Sequence, residues 1–260
     1  MRRALTIAGS DSGGGAGIQA DLKTFTAFQV YGMSVITAVT AQNTLGVQEV
    51  RVMPPEFVAS QLHSVLSDIG TDTVKTGMLA TKEIVEIVSQ VLDEFQIKKI
   101  VVDPIMVAHS GDRLLEEGAV EALRDLLLPL AKVITPNLEE ASVLCRERVE
   151  DVNGMREAAR KIREMGPEFV LIKGGHLSSP RAIDILYDGV KFEVKDNPRV
   201  PTNNAHGAGC TLSAAIAAGL AKGQDVKEAV EIAQRYTFAA IRSSFGLGKG
   251  RGPVNHFVKP

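Results

Sequence analysis

Short apolar runs alternate with longer amphipathic stretches along most of the chain. The runs are rich in β-branched residues and predict strands at 4–8, 34–40, 73–76, 99–103, 132–135 and 169–173. Between most of them apolar residues recur at helical spacing, which predicts helices at 17–28, 55–68, 82–95, 116–127, 138–145 and 155–165. A strand followed by a helix, repeated in this way, is typical of a parallel sheet covered by helices on both faces.

The pattern changes after residue 180. Two strand-like segments, 182–187 and 190–195, are separated by Asp188-Gly189 and predict an antiparallel hairpin at the edge of the sheet. Two further helices are predicted at 209–221 and 226–244. The chain has no internal repeat and no Ser- or Pro-rich linker. We therefore expect the whole chain to form one α/β domain with a mostly parallel sheet.

In open sheets of this kind, ligands bind beyond the carboxyl ends of the strands. The residues that follow the predicted strands are glycine-rich or polar, at 9–17, 42–43, 77–78, 103–106, 135–140 and 173–176. We therefore expect the chemistry of the protein to lie along this one edge of the sheet.

The densest of these segments is residues 9–17, which holds five glycines directly before a helix that carries Asp21. Its Gly15-x-Gly17-x-x-Ala20 spacing fits the dinucleotide fingerprint, but no acidic residue ends the next strand, where Gln42-Asn43 stands. Nicotinamide or flavin binding is therefore disfavoured. Close approach of the backbone to a small ligand, with Asp21 as a hydrogen-bond acceptor, explains the segment better than a flexible turn.

A second glycine motif opens the helix at 209–221. The amides of residues 207–210 would converge on one spot, which suits an anion or the negative charge of a transition state. Tight helix packing explains the two glycines equally well. Cys210 stands at the helix amino terminus, where we expect a lowered pKa and a functional thiol, with an inert thiol as the alternative. Cys145, on an apolar helix face, is expected to be buried filler.

Several single residues beside these motifs are also candidates. Asn137 and Glu140 share one helical face and suit either hydrated Mg²⁺ or a plain helix cap. Lys173 ends an apolar strand, where a lysine needs an anion. His176 and His206 lack metal-ligand spacing, so we expect them either to be structural or to support the residues that contact the ligand. Walker A, Gly-x-Ser-x-Gly and His-Glu-x-x-His motifs are absent from the sequence, which disfavours those chemistries.

Composition and charge limit the partners that the protein can bind and the compartment in which we expect it. The net charge of −2 offers no field for nucleic acid or an anionic membrane, and two cysteines cannot make a disulfide framework. No apolar run approaches the roughly 18 residues of a membrane span, and the apolar run at the amino terminus is too short for a secretory signal. We expect a cytoplasmic protein with neither nucleic-acid nor membrane partners. More than half of the 24 glycines fall in residues 9–17, 174–175, 207–209 and 246–252.

Together these motifs resemble those of the ribokinase-like small-molecule kinases. Closer similarity is to the hydroxymethylpyrimidine/phosphomethylpyrimidine kinases of thiamine biosynthesis, and it rests on residues 4–11, 14–23, 40–44, 75–79, 135–137, 173–176, 206–212 and 248–254. It extends over essentially the whole chain, with Cys210 where the wider superfamily has aspartate. Because the chain stops soon after the last motif, we expect a stand-alone kinase rather than a fusion with a thiamine-phosphate synthase domain.

The resemblance implies a three-layer α/β/α fold and transfer of the ATP γ-phosphoryl group to 4-amino-5-hydroxymethyl-2-methylpyrimidine, then to its monophosphate. By position it implies pyrimidine contacts at Gln42, Gly9, Asp21 and Met78. It implies nucleotide contacts at Asn137, Asp103, Lys173 and Lys249, and a Mg²⁺ site at Glu140 and Asn137. The catalytic anion hole is expected at Gly207, Gly209, Cys210 and Lys173, and the family implies a homodimer.

The two steps differ in their need for a base. We expect the Cys210 thiolate to accept the hydroxymethyl proton in the first step. The second step needs no base, because the attacking oxygen belongs to a phosphomonoester that is already mostly ionised at neutral pH. Two alternatives remain open: a pyridoxal/pyridoxine kinase of the same superfamily, whose substrate is also a flat heteroaromatic alcohol, and a nucleotide-binding protein without catalysis.

Overall fold

The computed structural model describes residues 1–106, 115–175 and 181–260, so His176 lies outside the described residues. The strands in these ranges are β1 (Arg3–Asp11), β2 (Tyr31–Asn43), β3 (Gly46–Val52), β4 (Thr73–Thr76), β5 (Ile100–Val102), β6 (Val133–Ile134), β7 (Phe169–Ile172), β8 (Arg181–Tyr187) and β9 (Phe192–Pro198). The helices are α1 (Gly17–Ala27), α2 (Pro55–Asp68), α3 (Lys82–Glu94), α4 (Glu117–Ala122), α5 (Leu138–Cys145), α6 (Val152–Glu164), α7 (Ala208–Ala221) and α8 (Val226–Arg242).

These strands form one sheet in the order β3-β2-β1-β4-β5-β6-β7-β8-β9. Six neighbouring strands of this sheet, β2, β1, β4, β5, β6 and β7, run parallel to one another. The β8–β9 hairpin joins the β7 edge in the antiparallel sense, which confirms the predicted hairpin. The opposite edge carries a second antiparallel strand, β3, that the sequence pattern did not predict.

The sheet lies between two apolar layers because successive strand residues point to opposite faces. Ile7, Val74 and Val102 pack with α2 to α6 on one face. Ala4, Val101 and Val133 pack with α1, α7 and α8 on the other. Burial on both faces explains why the central strands read as continuous apolar runs, and it confirms the three-layer α/β/α arrangement.

Helix α7 is unusual because every residue from Cys210 to its end at Ala221 is buried. Its alanines and two glycines keep the helix thin enough to lie between the sheet and α1 and α8, with which it shares the second apolar layer. This packing holds the amino terminus of α7 at the carboxyl edge of the sheet. Within the described ranges, no helix has the length and apolar character needed to cross a bilayer.

Candidate active site

A cavity of about 890 Å³ opens at the carboxyl edge of the sheet, where the sequence predicted the chemistry. Its walls include the ends of β1, β2 and β7 and the first turn of α7. Ten of the twelve predicted site residues line it: Gly9, Gln42, Met78, Asp103, Asn137, Glu140, Lys173, Gly207, Gly209 and Cys210. Asp21 and Lys249 are not among the described lining residues.

The Asp11 carboxylate shapes the first glycine motif. Its Oδ1 accepts a hydrogen bond from the Gly13 amide at 2.8 Å, and its Oδ2 accepts from the amides of Gly15 at 3.0 Å and Ala16 at 2.8 Å. The His206 Nε2 atom lies 2.9 Å from the same Oδ2. Burial opposes ionisation of Asp11, but His206 and the amides outweigh it and lower the pKa of this carboxyl. His206 therefore ties the second glycine motif to the first.

The first turn of α7 forms a cradle for an anion. Gly207 precedes the helix with a φ of +83°, and a Cβ there would lie 1.8 Å from the Gly15 carbonyl oxygen, so only glycine fits. Among the described residues, no side chain caps this end of α7, so amides of its first turn can donate to a ligand. The Lys173 Nζ lies 3.4 Å from the position that a Cβ at Gly209 would take. A cation beside an uncapped helix amino terminus is a site for a phosphate group.

Lys173 is held by two acidic residues at the edge of the cradle. Its Nζ lies 3.0 Å from Asp103 Oδ1 and 4.0 Å from Glu140 Oε2. Burial favours the neutral form of the lysine, but the two carboxylates outweigh it and raise the pKa of Lys173. Asp103 also accepts hydrogen bonds from Thr135 Oγ1 at 3.2 Å and Ser213 Oγ at 3.0 Å. The site therefore presents a fixed ammonium group to its ligand.

Asn137 and Glu140 cap α5 and also line the cavity. The Glu140 amide donates to Asn137 Oδ1 at 2.9 Å, and the Asn137 amide donates to Glu140 Oε2 at 2.7 Å, which is a capping box. Burial raises the pKa of Glu140 to about 7, and the nearby Asp103 carboxylate adds to this while Lys173 opposes it. The cap predicted as one alternative is therefore present, and it leaves a buried carboxyl group that a cation would stabilise in the ionised form.

The pKa predicted for Cys210 is wrong in direction. Only 6% of the residue is exposed, and burial raises the pKa of its thiol to about 12 although Lys75 acts in the opposite direction. The helix terminus favours a thiolate, but loss of water around the sulfur costs more in this position. Cys145 is half-buried rather than fully buried as expected; its Sγ faces the Ala158 carbonyl oxygen at 3.6 Å, and burial raises its pKa to about 11.

Asp21, predicted to contact the substrate, lies beneath the cavity instead. It is fully buried, with Oδ2 bonded to Lys75 Nζ at 2.9 Å and to Thr6 Oγ1 at 2.6 Å. Burial alone would lower the pKa of Lys75, but the Asp21 carboxylate, with Cys210 and Asp103, raises it. The side of α1 that carries Asp21 packs on the sheet. The Asp21 carboxylate therefore forms a buried ion pair with Lys75 of β4 instead of lining the cavity.

We expect Lys75→Met to lower the free energy of unfolding by about 3–5 kcal/mol, because it leaves the Asp21 carboxyl buried without its cation. Lys82→Met removes an exposed partner of Glu86, 3.5 Å away on α3, and is expected to cost less than about 1 kcal/mol. Urea unfolding of the two variants measures both values. Equal losses would contradict the importance of the buried pair.

The structure also adds residues that the sequence patterns did not single out. Asp184 on β8 accepts from the Gly174 amide at 3.0 Å and from Gln234 Nε2 at 2.8 Å, and burial raises its pKa. One face of α8, the end of β9 and the segment that follows β9 complete the cavity wall, through Gln234, Thr237, Phe238, Ile241 and residues 197–203. The helical spacing of the α8 residues was visible in the sequence, but nothing there distinguished a cavity wall from a core face.

The glycine segment 246–252 contributes an arginine rather than the predicted lysine. Lys249 and Arg251 are both exposed, but of the two only Arg251 is among the described residues that line the cavity. The Gly250 and Arg251 amides both bind Thr44, just beyond the end of β2. The segment is therefore attached at the β2 side of the cavity.

The chain is similar in sequence to several known proteins. A family model described as phosphomethylpyrimidine kinase matches residues 11–255. The thiamine biosynthesis bifunctional protein ThiED of Geobacter sulfurreducens is 51% identical, over 98% of this chain and 52% of that protein, so this chain spans about half of its length. The hydroxymethylpyrimidine/phosphomethylpyrimidine kinase of Streptomyces coelicolor is 51% identical, over 97% of this chain and 93% of that protein.

Solved structures support the same fold. The Bacillus subtilis pyridoxal kinase in an ADP complex has a TM-score of 0.93 and 45% sequence identity, covering 98% of this chain and 97% of that one. The α/β fold implied by the resemblance is therefore confirmed.

Proposed function

Because the chain belongs to the phosphomethylpyrimidine kinase family, we propose that it phosphorylates 4-amino-5-hydroxymethyl-2-methylpyrimidine with ATP and then phosphorylates the product again. One observation carries the proposal. A single cavity joins two parts of the site: the cradle, where Lys173 lies beside the first turn of α7, and a pocket lined by Gly9, Gln42 and Met78. Phosphoryl transfer needs this arrangement, because catalysis rests on aligning donor and acceptor and on neutralising the transferred charge.

The acceptor pocket suits an aminopyrimidine. Gln42 Oε1 accepts from Thr40 Oγ1 at 3.1 Å, which orients a carboxamide that offers both a donor and an acceptor to the ring edge. Met78 is buried opposite Gly9, where a Cβ would come within 3.1 Å of its Sδ. A side chain at Gly9 would therefore close the space beside the thioether, which we assign to the flat ring.

The donor phosphates are assigned to the cradle of Gly207, Gly209, Cys210 and Lys173, with Asp103 holding the lysine. We also propose a Mg²⁺ ion near Glu140 and Asn137. The described residues form no cluster of three or more His, Cys, Asp or Glu that would hold a metal alone. Mg²⁺ commonly takes one or two carboxylates with water and phosphate oxygens, so the buried Glu140 fits. The ion would neutralise phosphate charge during the transfer.

In the first step, the acceptor hydroxyl oxygen forms a bond to the γ-phosphorus, the bond from that phosphorus to the ADP oxygen breaks, and the hydroxyl proton passes to Cys210 Sγ. The thiol must first lose its own proton to solvent, since burial raises its pKa to about 12. In the second step, the acceptor is an ionised phosphomonoester oxygen and transfers no proton to the thiol.

A homodimer and a cytoplasmic location complete the proposal. Both rest on the family resemblance and on the composition of the chain. Analytical ultracentrifugation of the purified protein and fractionation of the cells that make it would test them separately.

A substrate panel tests the proposed function. The protein is incubated with ATP and Mg²⁺ and with hydroxymethylpyrimidine, its monophosphate or pyridoxal, and products are identified by mass. We expect both pyrimidines to gain one phosphate each. Phosphorylation of pyridoxal alone would favour the activity named for the Bacillus subtilis relative. ATP binding without any product would favour the non-catalytic alternative.

A further inference from the structure

The two proposed acceptors share a ring but differ in charge. The alcohol is neutral, whereas its monophosphate carries about −1.5 to −2 charges at pH 7. Among the described residues that line the cavity, four have carboxyl groups, and the only lysine or arginine residues are Lys173, Arg199 and Arg251. Lys173, which Asp103 holds at the cradle, is already assigned to the donor phosphates. A second anion in this cavity therefore needs a cation at the acceptor end.

The sheet order separates the two arginines. Arg199 follows β9, at one edge of the sheet, whereas β2 lies near the opposite edge. The Arg251 amide donates to the Thr44 carbonyl at 2.9 Å, two residues beyond Gln42. Arg251 is thus attached beside the proposed pyrimidine contact, and Arg199 is not.

Glycine makes this attachment possible. The Gly250 amide donates to Thr44 Oγ1 at 3.2 Å, and a Cβ at Gly250 would lie 2.0 Å from the Thr44 carbonyl oxygen. Only a residue without a side chain allows the two backbones to approach this closely. The close contact between Gly250 and Thr44 therefore fixes the backbone position of Arg251.

We propose that Arg251 is a specificity-determining residue for the anionic acceptor. Its guanidinium binds the phosphate of the monophosphate in the second step and has no comparable partner on the neutral alcohol in the first. An arginine suits this task because its planar fork donates two parallel hydrogen bonds to one phosphate group. The inference rests on the proposed function, since it assumes that one cavity takes both acceptors.

The test compares Arg251→Gln with the unaltered protein on each acceptor. We expect kcat/KM for the monophosphate to fall about 10- to 100-fold, mainly through KM, as on loss of a charge-assisted hydrogen bond. For the alcohol, the change is expected to stay within about threefold. Arg251→Lys should recover part of the loss, because it keeps the charge without the fork.

Arg199→Gln is the matched control, since it removes the same charge from the other side of the cavity. It is expected to change kcat/KM for the two acceptors by the same factor. Raising the KCl concentration should increase the KM for the monophosphate in the unaltered protein more than in Arg251→Gln, because salt screens the attraction between charges.

Equal losses on both acceptors, or no loss on the monophosphate, would overturn the assignment of Arg251. The melting temperature and the affinity for ADP, measured in parallel, identify a variant that has lost its fold or its nucleotide site. Calorimetric binding of the monophosphate without ATP tests the inference independently of turnover. If the unaltered protein binds the monophosphate but phosphorylates neither acceptor, the proposed function is wrong. The difference in monophosphate affinity between the unaltered protein and Arg251→Gln would still test the role of Arg251.

Discussion

Lys173→Met is expected to slow both phosphorylations about 1,000-fold. The Lys173 ammonium lies beside the first turn of α7, 3.4 Å from the place of a Cβ on Gly209, where the donor phosphates are proposed to bind. Removing a single neutral donor from a preorganised anion site typically costs 100- to 1,000-fold, and we expect this charged donor to reach about the upper limit. The same γ-phosphoryl group is transferred in both steps, so both should lose this stabilisation. Rapid-quench single-turnover assays with each acceptor measure the two rates.

A control is needed because Lys173→Met also leaves Asp103 buried without its cation. Lys173→Met combined with Asp103→Asn removes both charges, so stability should recover relative to the single variant while both rates remain low. Lys173→Arg keeps the charge and should retain more activity than either. A selective loss in one step would show that Lys173 serves the acceptor rather than the transferred group.

The sequence predicted the elements of the central sheet well because their apolar patterns are set by burial on both faces. It missed β3, whose exposed Gln48, Glu49 and Arg51 give it little apolar alternation. The predicted helix at 116–127 is also different. It is α-helical only over Glu117–Ala122 and continues as a π turn at Leu123–Leu127 and a 3₁₀ turn at Leu128–Leu130. Its apolar spacing did not distinguish these geometries.

The sequence predicted those parts of the candidate site that depend on the course of the backbone. Gly207 and the first turn of α7 follow from glycine at a helix start, and Gly9 and Gln42 follow from strand ends. Asp21 shows the limit, because a carboxylate one turn into a helix can face either a cavity or the sheet. The partner that decides this, Lys75, lies 54 positions away along the chain.

Long-range packing also reversed the prediction for Cys210. A helix amino terminus stabilises a thiolate only to the extent that the sulfur keeps access to water or to donors. In this fold α7 is enclosed by the sheet and by α1 and α8, and the thiol is buried with it. Nothing local to residues 207–213 indicates that enclosure.

The raised pKa of Cys210 leads to a pH dependence that separates the two steps. Below its pKa of about 12, the thiolate fraction rises tenfold with each pH unit. If Sγ accepts the hydroxymethyl proton, the single-turnover rate of the first step should rise about tenfold per unit from pH 7 to 9. The second step should be nearly flat over this range, because the acceptor phosphate, with a second pKa near about 6, is already ionised. The ratio of the two rates removes effects of pH on ATP and the cradle.

Cys210→Ala is expected to slow the first step about 100-fold or more at pH 8 and to abolish its rise with pH, since a general base contributes about 10²- to 10⁴-fold. The second step should stay within about threefold, because its attacking oxygen has no proton to lose. Cys145→Ala, which removes a half-buried thiol from α5, should alter neither rate. Equal slowing of both steps by Cys210→Ala would leave this residue only its backbone role in the cradle. A pH slope that survives in Cys210→Ala would show that hydroxide, rather than the thiolate, removes the proton.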